Sequence, residues 1–175
     1  IQEVEKMSSD IKIDLQSARV IADGKKFGDV GCYEYLTGWI HFKIEPNTPL
    51  PTKIVDLENA CKNEHDKVVY SSQIHILRPV DPTKSNRRLF FDFGNRGNKR
   101  AIQYFNDAVA SNEPVSSEEC GNGFLFRRGY SIVWVAWQGD LLPGDGRMTM
   151  RLPKATHKNG PITGKVRTEF IATKE

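Results

Sequence analysis

A chain of 175 residues with 38% hydrophobic content carries enough apolar side chains for one core, and no run approaches the ~18 apolar residues that a membrane-spanning helix needs. The 25 Lys and Arg residues stand against 22 Asp and Glu, and the two signs are interspersed, so no stretch tracks a phosphate backbone and nucleic acid is not expected as a partner. Cys32, Cys61 and Cys120 are odd in number and lack CxxC spacing, which argues against zinc and against a fully paired disulfide framework while leaving one disulfide plus a free thiol open.

The chain starts at Ile1 without a charged-then-apolar leader, so the expectation is a removed leader or a trimmed terminus; secretion or a periplasmic location stays open. Ile11, Ile13 and Leu15 alternate with Lys12, Asp14 and Gln16, the period-two pattern of a strand with one wet face, continued by Arg19 to Ile21 as an antiparallel edge. After the turn-rich "DGKKFGD", "YEYLTGWIHFKI" (Tyr33 to Ile44) predicts a second strand ended by "EPNTPLP". Asp56 to Ala60 reads as a helical turn or a short extended piece, and "KVVYSSQIHILRP" as a long strand stopped by "PVDPTKSN". Residues 1–86 therefore read as a β-rich N-terminal part.

The character changes at Arg88. "LFFDF" is nearly continuous apolar, as in a strand covered on both faces, and it stops at Gly94. Ala101, Ile102, Phe105, Ala108 and Val109 then recur at helical spacing. "GNGFLFRRG" predicts a short helix with Arg127 and Arg128 in its last turn and Gly129 just past it. "YSIVWVAW" (Tyr130 to Trp137) is the strongest buried-strand signal, and strand, helix, strand implies a crossover and a parallel pair. The alternation in "MTMRLP" and "GPITGKVRTEFI" predicts hairpin strands. Residues 87–175 would thus open a sheet core and close on a hairpin-like segment, in one structural unit with the first part.

The polar turn "FGNRGNKR" lies at the carboxyl end of the first expected parallel strand and "AWQGDLLPGDG" at the end of the second, where open sheets bind ligands. Two readings of the turn stand side by side. In one, Gly94 and Gly97 only make the turn, Asn95 caps it and Asn98 caps the following helix. In the other, the glycines let backbone N–H groups approach a developing oxyanion. Arg96 would bind a substrate carboxylate or brace the loops by pairing with Asp92 or Asp140. Trp134 and Trp137 point to opposite sides of their strand, one to the core and Trp137 toward the site, with Gln138 and Asp140 following; as a turn residue Asp140 has the simpler explanation.

Taken in order, "GCYEYLTG", "ILRPVDP", "FDFGNRGNKRAIQYFNDA", "GNGFLFRRGYSIVWVAWQGD" and "TGKVRTEF" resemble the N-terminal part of a family of α/β-hydrolase-domain proteins, over about Asp23 to Phe170. The resemblance implies an α/β fold in which the β-rich part leads into the first parallel strands of an α/β-hydrolase-like sheet, incomplete in this chain. It also implies that Asn95, Arg96, Gly97 and Asn98 form an oxyanion-side loop, with Trp137, Gln138 and Asp140 beside it, acting on a small ester-like substrate without a cofactor. The family's G-x-S-x-G elbow is missing: "GYSIV" lacks the second glycine, and Ser116 and Ser117 lie in an acidic turn. Nucleophile, acid and base are accordingly expected downstream of Glu175, supplied by the remainder of the polypeptide or by a second chain.

His41 and His75 fall on strand patterns, His65 and His157 on loops, and none has metal-ligand spacing; Glu64, His65 and Asp66 read as a solvated charge run. Two functions follow. One is part of an esterase-like serine hydrolase. The other is a non-catalytic β-rich binding or assembly module whose exposed parallel-strand edge docks a partner, such as the rest of its own chain.

Overall fold

The computed structural model describes residues 11–47, 54–158 and 160–171. One mixed sheet carries the molecule. Its strands are β1 (Ile11–Val20), β2 (Tyr33–Ile44), β3 (Val68–Pro79), β4 (Leu89–Asp92) and β5 (Ser131–Val135), in the spatial order β1-β2-β3-β5-β4, with the short β6 (Met150–Arg151) also paired to β3. The first three form an antiparallel meander, β5 runs antiparallel to β3, and β4 runs parallel to β5. The expected parallel pair is therefore present. Thr156–His157 (β7) and Gly160–Pro161 (β8) make a separate two-stranded ribbon.

The expected α/β class is corrected. Strand accounts for 35% of the structure and helix for 14%, and the two α-helices, α1 (Ala101–Phe105) and α2 (Phe124–Arg127), span five and four residues, too short to cover a sheet face as the helices of an α/β fold do. The crossover between β4 and β5 is mostly loop. Asp107 takes a left-handed φ of 50° and ends α1 four residues short of the periodic pattern, and Gly121 and Gly123 adopt positive φ before α2 begins. Gly129 follows α2 at φ 72°, as the C-terminal glycine signal requires.

Alternation also overstated the C-terminal segment. Val166, Phe170 and Ile171 are 88%, 93% and 84% exposed and belong to no strand, because nothing in the described structure offers them an edge or an apolar face. The break expected over 45–51 lies partly outside the described residues.

Strand periodicity divides the apolar side chains between two faces. Under one lie Tyr33, Tyr35, Leu77, Ile132 and Trp134, packed with Ile21, Phe27, Ile102, Leu125, Phe126 and Met148. This core joins residues from both halves of the chain. Tyr33 anchors it: its ring sits 4.7 Å from that of Phe126, and its hydroxyl donates to the Phe126 and Tyr130 carbonyls at 3.1 and 3.0 Å, which fixes the end of α2 against β2. The opposite face carries Ile40, Ile74 and Val133, with Phe42, Ile76 and Val135 beside them.

On β1 the alternation is present but its apolar side is not dry: Ile11, Ile13 and Leu15 are 45%, 57% and 43% exposed. The strand bulges between Leu15 and Ser17, opposite Gly38. A Cβ at Gly38 would run into the Asp14 backbone. Gly38→Val is therefore expected to detach β1, seen as loss of amide-exchange protection confined to residues 11–20 while β3 and β5 stay protected.

Candidate functional site

Because β5 lies between β3 and β4, the carboxyl ends of the two parallel strands are neighbours, and the loops that leave them meet. The β4 loop makes a tight turn at Asn95–Asn98, closed by Asn98 N–H donating to the Asn95 carbonyl at 3.1 Å. Its central residues, Arg96 and Gly97, both have positive φ (52° and 77°), the requirement of a type I′ turn. Glycine is needed at the second position. A Cβ on Gly97 would stand 2.5 Å from the Met148 carbonyl oxygen, while the Gly97 carbonyl accepts from Met148 N–H at 2.9 Å. Gly97→Ala is thus expected to lower stability by about 1–3 kcal/mol, measured by urea unfolding, whatever the turn does in chemistry.

All seven residues singled out from the sequence converge here. Gln138 Oε1 accepts the Arg96 amide at 2.8 Å, and the Arg96 guanidinium donates to Asp140 at 2.8 Å. The indole N–H of Trp137 donates to the Gly94 carbonyl at 2.6 Å. The hydrogen bond from Arg96 holds the Asp140 carboxyl below its ordinary range. Both side chains of that pair are at least half exposed, so it braces the loops more than it stabilises them. Trp137 is 57% exposed, whereas Trp134, three residues earlier, is buried in the core.

Two alternatives are settled by these contacts. Arg96 pairs with Asp140 and not with Asp92. Asn98 does not cap α1; its side-chain amide turns back to the Asn95 carbonyl at 3.0 Å. The cap comes from Asp92 at the end of β4, whose Oδ2 accepts from Arg100 N–H at 2.9 Å, Ala101 N–H at 2.8 Å and the Trp134 indole at 2.6 Å. The sequence signal for Asp92 was an acidic residue closing an otherwise apolar strand, nine positions before the helix.

A third loop, absent from the sequence reading, locks the turn from the side. Asn112 donates to Asn98 Oδ1 at 3.0 Å and to the Asp145 carbonyl at 2.7 Å, and its own Oδ1 accepts the Lys99 amide at 2.9 Å. The Lys99 amine reaches the Asn112 carbonyl. Lys99 is only 3% exposed, and its Nζ lies 5.7 Å from the Tyr35 ring centroid and 5.8 Å from that of Trp134. Burial lowers its pKa to about 7, partly opposed by Glu113 and Asp92. His75, bonded through Nδ1 to the Tyr35 hydroxyl at 2.6 Å, is lowered to about 3 by burial and by the Lys99 charge.

The cleft between the two strand-end loops, lined by Gly94, Gly97, Asn98, Trp137, Gln138 and Met148, encloses about 10 Å³, room for about one water. The Arg96 amide is engaged by Gln138, whereas no acceptor among the described residues meets the Gly97 amide. A larger cavity of about 370 Å³ lies elsewhere, among Ile44, Leu57, Val68, Tyr70 and Leu152, without a serine, cysteine or histidine in its lining.

No serine or cysteine among the described residues is hydrogen-bonded to a histidine, and Cys32, Cys61 and Cys120 are all free thiols. No described helix is long and apolar enough to cross a membrane. Compared with family models, curated proteins and solved structures, the chain matches none.

Proposed function

We propose that this chain is the N-terminal portion of a serine hydrolase for a small ester-like substrate, in which it supplies the oxyanion-side turn while another segment supplies nucleophile, acid and base. The carrying observation is the Gly97 amide: it sits at the carboxyl end of a parallel strand, in a turn held by three loops, and has no acceptor among the described residues. An amide held this rigidly loses little on reorganising when a tetrahedral oxyanion forms, which is the property such a site needs. Arg96 and Gln138 act as positioning residues: Gln138 fixes the turn through the Arg96 amide, and the Arg96–Asp140 pair keeps the two loops in register. The pairing of a fixed turn with the resemblance carried by "NRGNK" and "GFLFRRGYSIVWVAWQGD" supports this reading.

A non-catalytic binding or assembly module is the second reading, favoured by the exposed apolar residues along the sheet: Leu89, Phe91 and Phe93 on β4 and after it are 61%, 38% and 80% exposed. Labelling the purified protein and any copurifying polypeptide with a fluorophosphonate, followed by peptide mapping, separates the two. The hydrolase reading expects label on a copurifying segment and none on this chain. Label on a serine of this chain would refute the division of labour, and no label on either polypeptide would put the binding module first.

A further inference from the structure

The unpaired edge of β1 carries a sequence that complements itself. β1 pairs only with β2 among the described strands, so among the described residues its other edge leaves backbone donors and acceptors unpaired along the stretch Ile11–Leu15, "IKIDL". When two such stretches are laid antiparallel about a two-fold axis through Ile13, Ile11 faces Leu15 of the second copy, Ile13 faces itself, and Lys12 faces Asp14, the last pair occurring twice. Apolar meets apolar on one side of the sheet and opposite charges meet on the other.

Neighbouring registers lack this property. An axis through Lys12 sets two ammonium groups opposite each other, and an axis through Asp14 sets two carboxylates. A shift by one residue places Ile11 against Asp14 and turns the charged residues to the apolar side. The bulge after Leu15 ends the regular edge where the complementary stretch ends.

We propose that β1 is a docking edge for a second copy of this chain, joined antiparallel through Ile11–Leu15 into one continuous sheet with two-fold symmetry. The apolar side favours the same occupant. Ile11, Ile13 and Leu15 lie on the face that continues through Ile40 and Phe42 to Ile74 and Val133, so pairing extends that face across both copies and covers the side chains at its margin. A single strand pair buries less than a standard interface, and the dimer is accordingly concentration-dependent.

Sedimentation velocity over a concentration series at low ionic strength tests this with charge exchange. The wild-type chain is expected to move from monomer to dimer, and Lys12→Asp or Asp14→Lys alone is expected to weaken the dimer roughly tenfold or more, since each creates two like-charge pairs. The double exchange, Lys12→Asp with Asp14→Lys, restores it. Ile13→Lys, at a position more than half exposed in the monomer, removes the dimer while the far-ultraviolet circular dichroism stays unchanged. A wild-type chain that stays monomeric throughout, a dimer indifferent to the single exchanges, or a double exchange no better than either single one would overturn the proposal. None of these outcomes bears on the hydrolase reading, which rests on the opposite part of the sheet.

Discussion

Replacing Asp92 with alanine is expected to lower the unfolding free energy by about 3–5 kcal/mol, the largest single-residue effect in the strand-end region. Its Oδ2 is the common acceptor for two amides at the start of α1 and for the Trp134 indole, all within 2.6–2.9 Å. Trp134 is 1% exposed, so its N–H has no water to turn to once the carboxylate is gone. Helix and strand would lose their junction together, because α1 has only five residues and forms through tertiary support, not through its own propensity. Asp92→Asn keeps one acceptor oxygen of the same shape and should cost roughly half as much. Urea unfolding of both variants checks the ranking; a loss under about 1 kcal/mol for alanine would mean that the three bonds do not hold the junction.

Lys99→Met should make the protein more stable near neutral pH, by about 1–3 kcal/mol, although it removes a hydrogen bond. Burial lowers the folded-state pKa of Lys99 from 10.5 to about 7, so between these values the unfolded chain binds the proton that the folded chain releases. Stability therefore rises with pH across that window. Above pH 10.5 the amine is neutral in both states and the penalty vanishes; it accrues as pH falls and is complete below about 7, where it is on the order of 5 kcal/mol. Loss of the amine from the Asn112 carbonyl offsets part of the gain.

His75 acts in the same direction at lower pH, its folded value of about 3 lying below the ordinary 6.5, so stability is lost as pH falls from 6.5 toward 3. Denaturant midpoints between about pH 3 and pH 9, below the window in which the buried Cys120 thiol (raised from 9.0 to about 11) acts in the opposite direction, should climb with pH for the wild type and lose the upper part of the climb in Lys99→Met. An identical slope in both proteins would mean that the Lys99 amine is hydrated.

Much of this arrangement was legible in the residue order, and the failures have physical causes. β2, β3 and β5 were plain because aromatic and β-branched residues recur throughout them, and the parallel pair followed from the glycine punctuation around α2. The residues that meet at the two strand ends stood out because Asn, Gly and Gln crowd the ends of two apolar strands. Periodicity misled where it had no tertiary support: Ala108 and Val109 continue a helical spacing that Asp107 stops, and Val166 to Phe170 alternate without an edge to join. The bracing residues Asn112 and Met148 lie 14 and 51 positions from the turn residues Asn98 and Gly97 that they touch, a pairing that no local pattern announces. Burial of Lys99 was equally hidden, since a lysine beside an arginine in "NKR" reads as surface until Tyr35 and Trp134 close over it.

Amide hydrogen exchange at the turn, followed by nitrogen-15 spectra, decides whether the Gly97 amide is free to meet an oxyanion. If the Asn95–Asn98 turn holds one amide ready for an oxyanion, the Gly97 N–H exchanges freely, while those of Arg96, Arg100 and Ala101, bound to Gln138 and Asp92, are protected. Protection of Gly97 equal to that of Arg100 would show that its amide already serves the fold, and the turn would then be a structural clasp with no part in hydrolysis.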